Sequence, residues 1–130
     1  MLKDKHTIDE YFKDNWTLTP IHYDGANFTM PTDGKWIHVM LIPFDRQSLS
    51  TANGLKVDYA FIRVNCYDKS VTKCYNLAEK VQQFLECKKI PTDDRKEILV
   101  DMGISSGDGA IPLHNSIFET QLDFTARKYT

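Results

Sequence analysis

Between Phe12 and Trp36 the chain places Phe12, Trp16, Tyr23, Phe28 and Trp36 in close succession and interrupts them with Pro20 and Pro31. Each large ring buries about 150–250 Å² when packed, so such a series must be covered by something. The prolines forbid one continuous helix or a central strand through the segment. It must therefore lie over a sheet or against a neighbouring chain. The segment carries no catalytic or metal motif, which directs the reading toward assembly rather than chemistry.

The flanking periodicities define what it joins. Thr7-Ile8-Asp9-Glu10 has the form of a capping box, with Thr7 as N-cap. Ile8, Tyr11, Phe12 and Trp16 then share one face of a short helix that Pro20 ends. Thr17 to Lys35 is loop-like, with Tyr23-Asp24-Gly25 and Asp33-Gly34 as turn signals. A connection of that length inside a compact domain marks a functional or packed loop. The near-continuous apolar run Trp36 to Phe44 predicts a strand covered on both faces. Asp45 to Gly54 is polar, and Asn53-Gly54 is the dipeptide favoured by tight hairpin turns.

A second strand is predicted from Leu55 to Tyr67, with Ala60, Ile62, Val64 and Cys66 on one side. Tyr59, Phe61, Arg63, Asn65 and Tyr67 lie on the other, a composition typical of protein interfaces. Ser70 can cap a helix whose stripe is Val71, Cys74, Leu77, Ala78, Val81, Phe84 and Leu85, closed by Pro91 and Asp93-Asp94. Glu97 to Gly103 predicts a third strand with Ile98, Val100 and Met102 on one face. Ile104 to Gly109 reads as a Ser/Gly loop, and Asn115 to Arg127 as the fourth strand, with Phe118, Leu122, Phe124 and Ala126 inward. The fold expected is α+β: a mainly antiparallel four-stranded sheet, an N-terminal helix, and a longer amphipathic helix between two strand pairs. One domain, residues 1–130, is the natural expectation at this length.

Several function classes drop out. A formal net charge of −2 argues against a protein that binds by covering phosphates. Cys66, Cys74 and Cys87 form no C-x-x-C pair and read as reduced thiols. His6, His22, His38 and His114 have no metal-ligand spacing, and His38 reads as a sheet histidine. A Cys66/His38 nucleophile would need mutual reach and a third orienting group, whereas Cys66 alternates with core residues. Gly103 to Gly109 lacks the lysine of a phosphate loop. No catalytic, cofactor-binding or metal site is expected. The N-terminus lacks a signal-peptide core, and no apolar run is long enough to span a bilayer, so the expectation is an intracellular, soluble protein without a membrane partner.

The series Phe12-x-x-x-Trp16, Thr19-Pro20-Ile21-x-Tyr23-Asp24, Asn27-Phe28, Pro31 and Trp36-Ile37 resembles the opening of the tail terminator, or tail completion, proteins of long-tailed bacteriophages. The resemblance continues by pattern through a hairpin, the helix Val71–Lys88 and two closing strands. It departs from the commoner family pattern where Arg63 to Ser70 runs straight into the helix cap. It implies a non-enzymatic, cofactor-free virion protein that forms a hexameric ring at the head-proximal end of the tail tube. That ring would stop tube polymerisation and offer the head–tail joining surface. Tail tube protein and connector proteins would be its partners, DNA would pass through the lumen, and assembly would occur in the host cytoplasm.

A ring of identical subunits joins two different patches of each copy. Tyr59, Phe61 and Arg63 form one candidate patch. Trp16, Tyr23 and Trp36 of the aromatic segment, and Arg46 and Leu49 of the Arg46–Asn53 hairpin tip, are candidates for the other patch or for tube contact. For the aromatic segment, packing within the chain competes with that use. A connector stopper, a tail tube subunit and a small intracellular protein-binding domain are the alternative readings.

Overall fold

A computed structural model describes residues 1–49, 54–105, 110–113 and 116–130. A 3-10 turn (Leu2–Asp4) leads into α1 (Lys5–Asn15), β1 (Ile21–Tyr23), β2 (Trp36–Ser48), β3 (Lys56–Asp68) and α2 (Val71–Leu85). β4 (Lys89–Pro91), β5 (Glu97–Ser105), β6 (Ile111–Pro112) and β7 (Phe118–Tyr129) follow. The strands form one curled, half-barrel sheet in the order β1-β2-β3-β7-β5-β4, with β6 paired to β7.

This corrects the four-stranded antiparallel sheet expected from the sequence: the sheet has seven strands and is mixed. β2, β3, β5 and β7 are the four long strands. The additional three are only two or three residues long, too short to display a period of two. β1 runs parallel to β2, pairing Ile21 with Ile37 and Tyr23 with Val39. The amide of Ile37 donates to the Pro20 carbonyl at 3.2 Å, and that of Asp24 donates to Val39 at 3.1 Å. Pro20 therefore accepts at a sheet edge, where its missing N–H costs nothing. The segment expected to be loop thus adds an edge strand.

Other expectations shift locally. Thr7 lies inside α1, whose N-cap is Asp4 with no side-chain cap hydrogen bond; the Asp4 carboxylate instead accepts from Lys128. β2 extends well past Phe44, and only its first half is covered: Ile37 and Val39 are buried, while His38 and Met40 on the other face are half-buried. α2 ends at Leu85, and Val71 stands outside its buried stripe. Met102 is 67% exposed rather than aligned with Ile98 and Val100. A β-bulge between Val100 and Gly103 inserts an extra residue and reverses the alternation there. Asn53, Asn115, and Ser106 to Gly109 of the expected turn, strand start and loop lie outside the described residues.

α1 and α2 cover one face of the sheet. Ile8, Phe12 and Trp16 of the first helix and its C-cap meet Leu77, Val81 and Leu85 of the second over Ile62, Val64, Leu122 and Phe124. Phe84 joins the two helices, with its ring centroid 5.0 Å from Phe12 and 5.2 Å from Trp16. Ser70 caps α2 as expected, accepting the Lys73 amide at 3.1 Å. Gly103 is required by packing: a Cβ there would sit 2.6 Å from Phe124 Cε1. The inward alternation of β7 continues past Ala126 to Lys128, which is fully buried.

Candidate assembly surface

The sheet face turned away from the helices carries the candidate site. Its residues are set by cross-strand register. Trp36, Tyr67 and Glu119 form one row, and His38, Asn65 and Gln121 the next. Met40, Arg63, Asp123 and Ile104 span four strands in a third row, followed by Ile42, Phe61 and Thr125. Period-two alternation puts all of these side chains on one face once Ile62, Val64 and Cys66 are buried on the other.

The two arginines of this face are paired within the chain, whereas Glu119 meets the Tyr67 hydroxyl rather than a cation. Arg63 makes a bidentate pair with Asp123 through Nε and Nη2, at 2.8 and 3.1 Å, and Arg127 Nη1 donates to both oxygens of Asp101, at 3.2 and 3.1 Å. The Asp123 hydrogen bond holds the Arg63 guanidinium above its ordinary pKa despite partial burial. The two ion pairs cancel, and Glu119 remains as an acid beside Tyr67 on a polar face. Beside it, a bulge between Pro43 and Asp45 pushes Phe44 outward onto Phe61, with centroids 4.5 Å apart, and toward Tyr59 at 6.0 Å. Phe44 remains 49% exposed.

At the β1 end, Phe28, His22 and His38 stack in a column, with centroid separations of 4.9 and 4.1 Å. Trp36 stacks on Tyr67 at 4.3 Å. These rings wall a hollow of about 320 Å³ together with Met30 and Ile117. Burial first, and then the neighbouring His22, lower the His38 pKa, while Asp24, 3.5 Å away, only partly opposes them. His38 Nε2 is buried without a hydrogen bond. Burial and the adjacent Glu119 push the Tyr67 hydroxyl far above its ordinary value.

The structure separates the sequence-derived candidates. Tyr59, Phe61, Arg63 and Trp36 share the open sheet face, although Trp36 is mostly covered by Phe28 and Tyr67. Trp16 is core: it is 6% exposed, and its indole N–H donates to Thr19 Oγ1 at 2.9 Å. Tyr23 packs against the core from β1. Arg46 pairs with Asp58 at 2.7 Å, and Leu49 is exposed beyond β2, its amide donating to Leu55. Phe44 and the His22–His38 stack are site features that periodicity did not single out; the signal for Phe44 was Pro43 within an edge strand, a common mark of a bulge.

Cys66 and His38 project from opposite faces of the sheet and cannot act as a pair. Burial pushes the Cys66 thiol far up, so it stays protonated. Among the described residues, no three His, Cys, Asp or Glu side chains converge as metal ligands, and no helix is long and apolar enough to cross a membrane.

The molecule is thus an α+β half-barrel with two helices on one face and, on the other, an open face whose arginines are paired to aspartates. No family model and no curated sequence matches the chain. Its fold is shared across almost its full length by solved structures. One superposes with a TM-score of 0.70 at 10% identity, covering 97% of this chain and 95% of the other. Another belongs to the virion of a native gene transfer agent particle: TM-score 0.67, 12% identity, 97% of this chain and 94% of that one.

Proposed function

We propose that this protein is a phage tail terminator: a structural virion subunit that forms a ring at the head-proximal end of the tail tube. The ring ends tube polymerisation and presents the surface on which the head connector docks. The observation that carries this reading is the full-length fold shared with a chain of a gene transfer agent virion, taken with the aromatic series Trp16, Pro20, Tyr23, Pro31 and Trp36.

The open sheet face suits such a role. Its arginines are already paired to aspartates, so around them it offers a neighbouring subunit partly apolar area rather than unpaired cations that must be stripped of water. Phe44, Tyr59 and Phe61 form the apolar part. Tail tube and connector proteins are the partners in this reading, and DNA passes through the lumen without sequence-specific contact. No reaction step and no cofactor enters it. Deleting the gene from its phage should yield overlong tubes and no joined virions. Free tails of normal length would refute the terminator role and favour a connector stopper.

A further inference from the structure

Nine ion pairs are formed within the described residues, and two hollows gather charged groups that none of these pairs engages. A hollow of about 440 Å³ between α2 and the segment before β2 is floored by Leu77 and the exposed Leu18. Its rim carries Lys35, Lys73 and Lys80, and their ammonium groups have no hydrogen-bond or ion-pair partner among the described residues. Lys73 and Lys80 are seven residues apart on α2 and so share one exposed face. The two acids in this hollow are engaged by backbone: Asp33 accepts the Lys35 amide at 3.1 Å, and buried Asp68 accepts the Lys69 amide at 2.7 Å.

A second hollow, of about 230 Å³, lies on the outer side of α1 against β4. Its rim carries Glu10, Asp14 and Asp93, again with no partner among the described residues. Tyr11, Ile90 and Pro91 provide its apolar wall. Glu10 and Asp14 stand one helical turn apart, as the i, i+4 spacing requires. The first hollow thus sets three lysines against two hydrogen-bonded carboxylates and keeps a net positive rim, whereas the rim of the second is acidic, and both adjoin apolar surface.

We propose that the lysine-rimmed hollow receives the acidic face of α1 from a second copy of this chain. The contact joins two different patches, as a closed ring of identical subunits requires, and it rests on the ring reading above. Exposed charges of this kind select a partner and orient it more than they bind it. Their influence weakens with salt, since screening acts over about 8 Å at physiological ionic strength.

Charge reversal tests the pairing. Assembly is followed by sedimentation velocity for wild type, K73E/K80E, E10K/D14K and the four-fold combination, with circular dichroism melts as a folding control. None of these four side chains has a hydrogen-bond or ion-pair partner among the described residues, so all variants should melt close to wild type. Each reversed pair should raise the half-assembly concentration at least about tenfold, and the combination should return it to within about threefold of wild type. Unchanged assembly of either reversed pair overturns the proposal, as does a combination no better than its parents, which would assign the charges to another protein. A wild type that stays monomeric at every concentration refutes the ring reading itself.

Discussion

Replacing Lys128 by methionine is expected to be among the most damaging single changes in this chain. Its ammonium lies 3.0 Å from both oxygens of Asp4 and 3.0 Å from Asp94 Oδ2, and its side chain is 1% exposed. Burial opposes the charge, yet the hydrogen bonds to Asp94 and Asp4 outweigh that and hold the Lys128 pKa above its ordinary value. Methionine fills the same space but leaves Asp4 sealed inside without a counter-charge. Removing one member of a buried pair costs about 3–5 kcal/mol. For 130 residues the unfolding entropy is about 0.27 kcal/mol/K, so Tm should fall by roughly 11–18 °C. Thermal melts by circular dichroism at pH 7 read this directly. Removing both charges, in K128M/D4L, should recover most of the loss, because an apolar pair of similar volume is tolerated where a lone charge is not. A drop below about 3 °C in K128M alone would refute the buried-pair reasoning.

Gly103→Ala should cost about 1–3 kcal/mol by forcing a methyl against Phe124, and Phe124→Leu in the same chain should relieve part of it; a neutral Gly103→Ala melt would contradict the packing. His38 is kept neutral by burial, so its contribution is complete above its unfolded pKa near 6.5 and is lost as pH falls through its lower folded value. Wild-type Tm should therefore decline more steeply between pH 7 and 5 than that of His38→Gln; equal slopes would remove His38 from the account. Phe44→Ser should leave Tm within a few degrees while raising the half-assembly concentration about tenfold or more, and unchanged assembly would exclude that face. Phe44 is a cleaner probe than Arg63→Glu, which would set a carboxylate against Asp123 inside the chain and confound assembly with stability.

The long elements were legible because their periods are long enough to count. Ala60, Ile62, Val64 and Cys66 alternate along one strand, and Cys74, Ala78, Val81 and Leu85 repeat over about three turns. The three short strands carry no such signal. Ile21–Tyr23 becomes a strand only because β2 presents free backbone groups beside it, which is a tertiary fact. Two bulges break alternation locally: the one between Pro43 and Asp45 puts Phe44 on the open face, and the one between Val100 and Gly103 leaves Met102 exposed against its pattern. Lys128 was readable in principle, since it continues the inward set Leu122, Phe124 and Ala126. A lysine at that position looks exposed until Asp4, 124 residues away in sequence, is placed beside it. Of the candidate surface, Tyr59, Phe61 and Arg63 were visible from alternation, and the core place of Trp16 agrees with the helix face it shares with Ile8 and Phe12.

The central claim is that copies of this chain close into a ring that caps a tail tube. Electron microscopy of the purified protein mixed with tail tubes from its own phage tests it most directly. The account predicts free rings of uniform diameter and a single ring seated on one end of each tube, with elongation halted at that end. Monomers that leave both tube ends bare and still growing would contradict it.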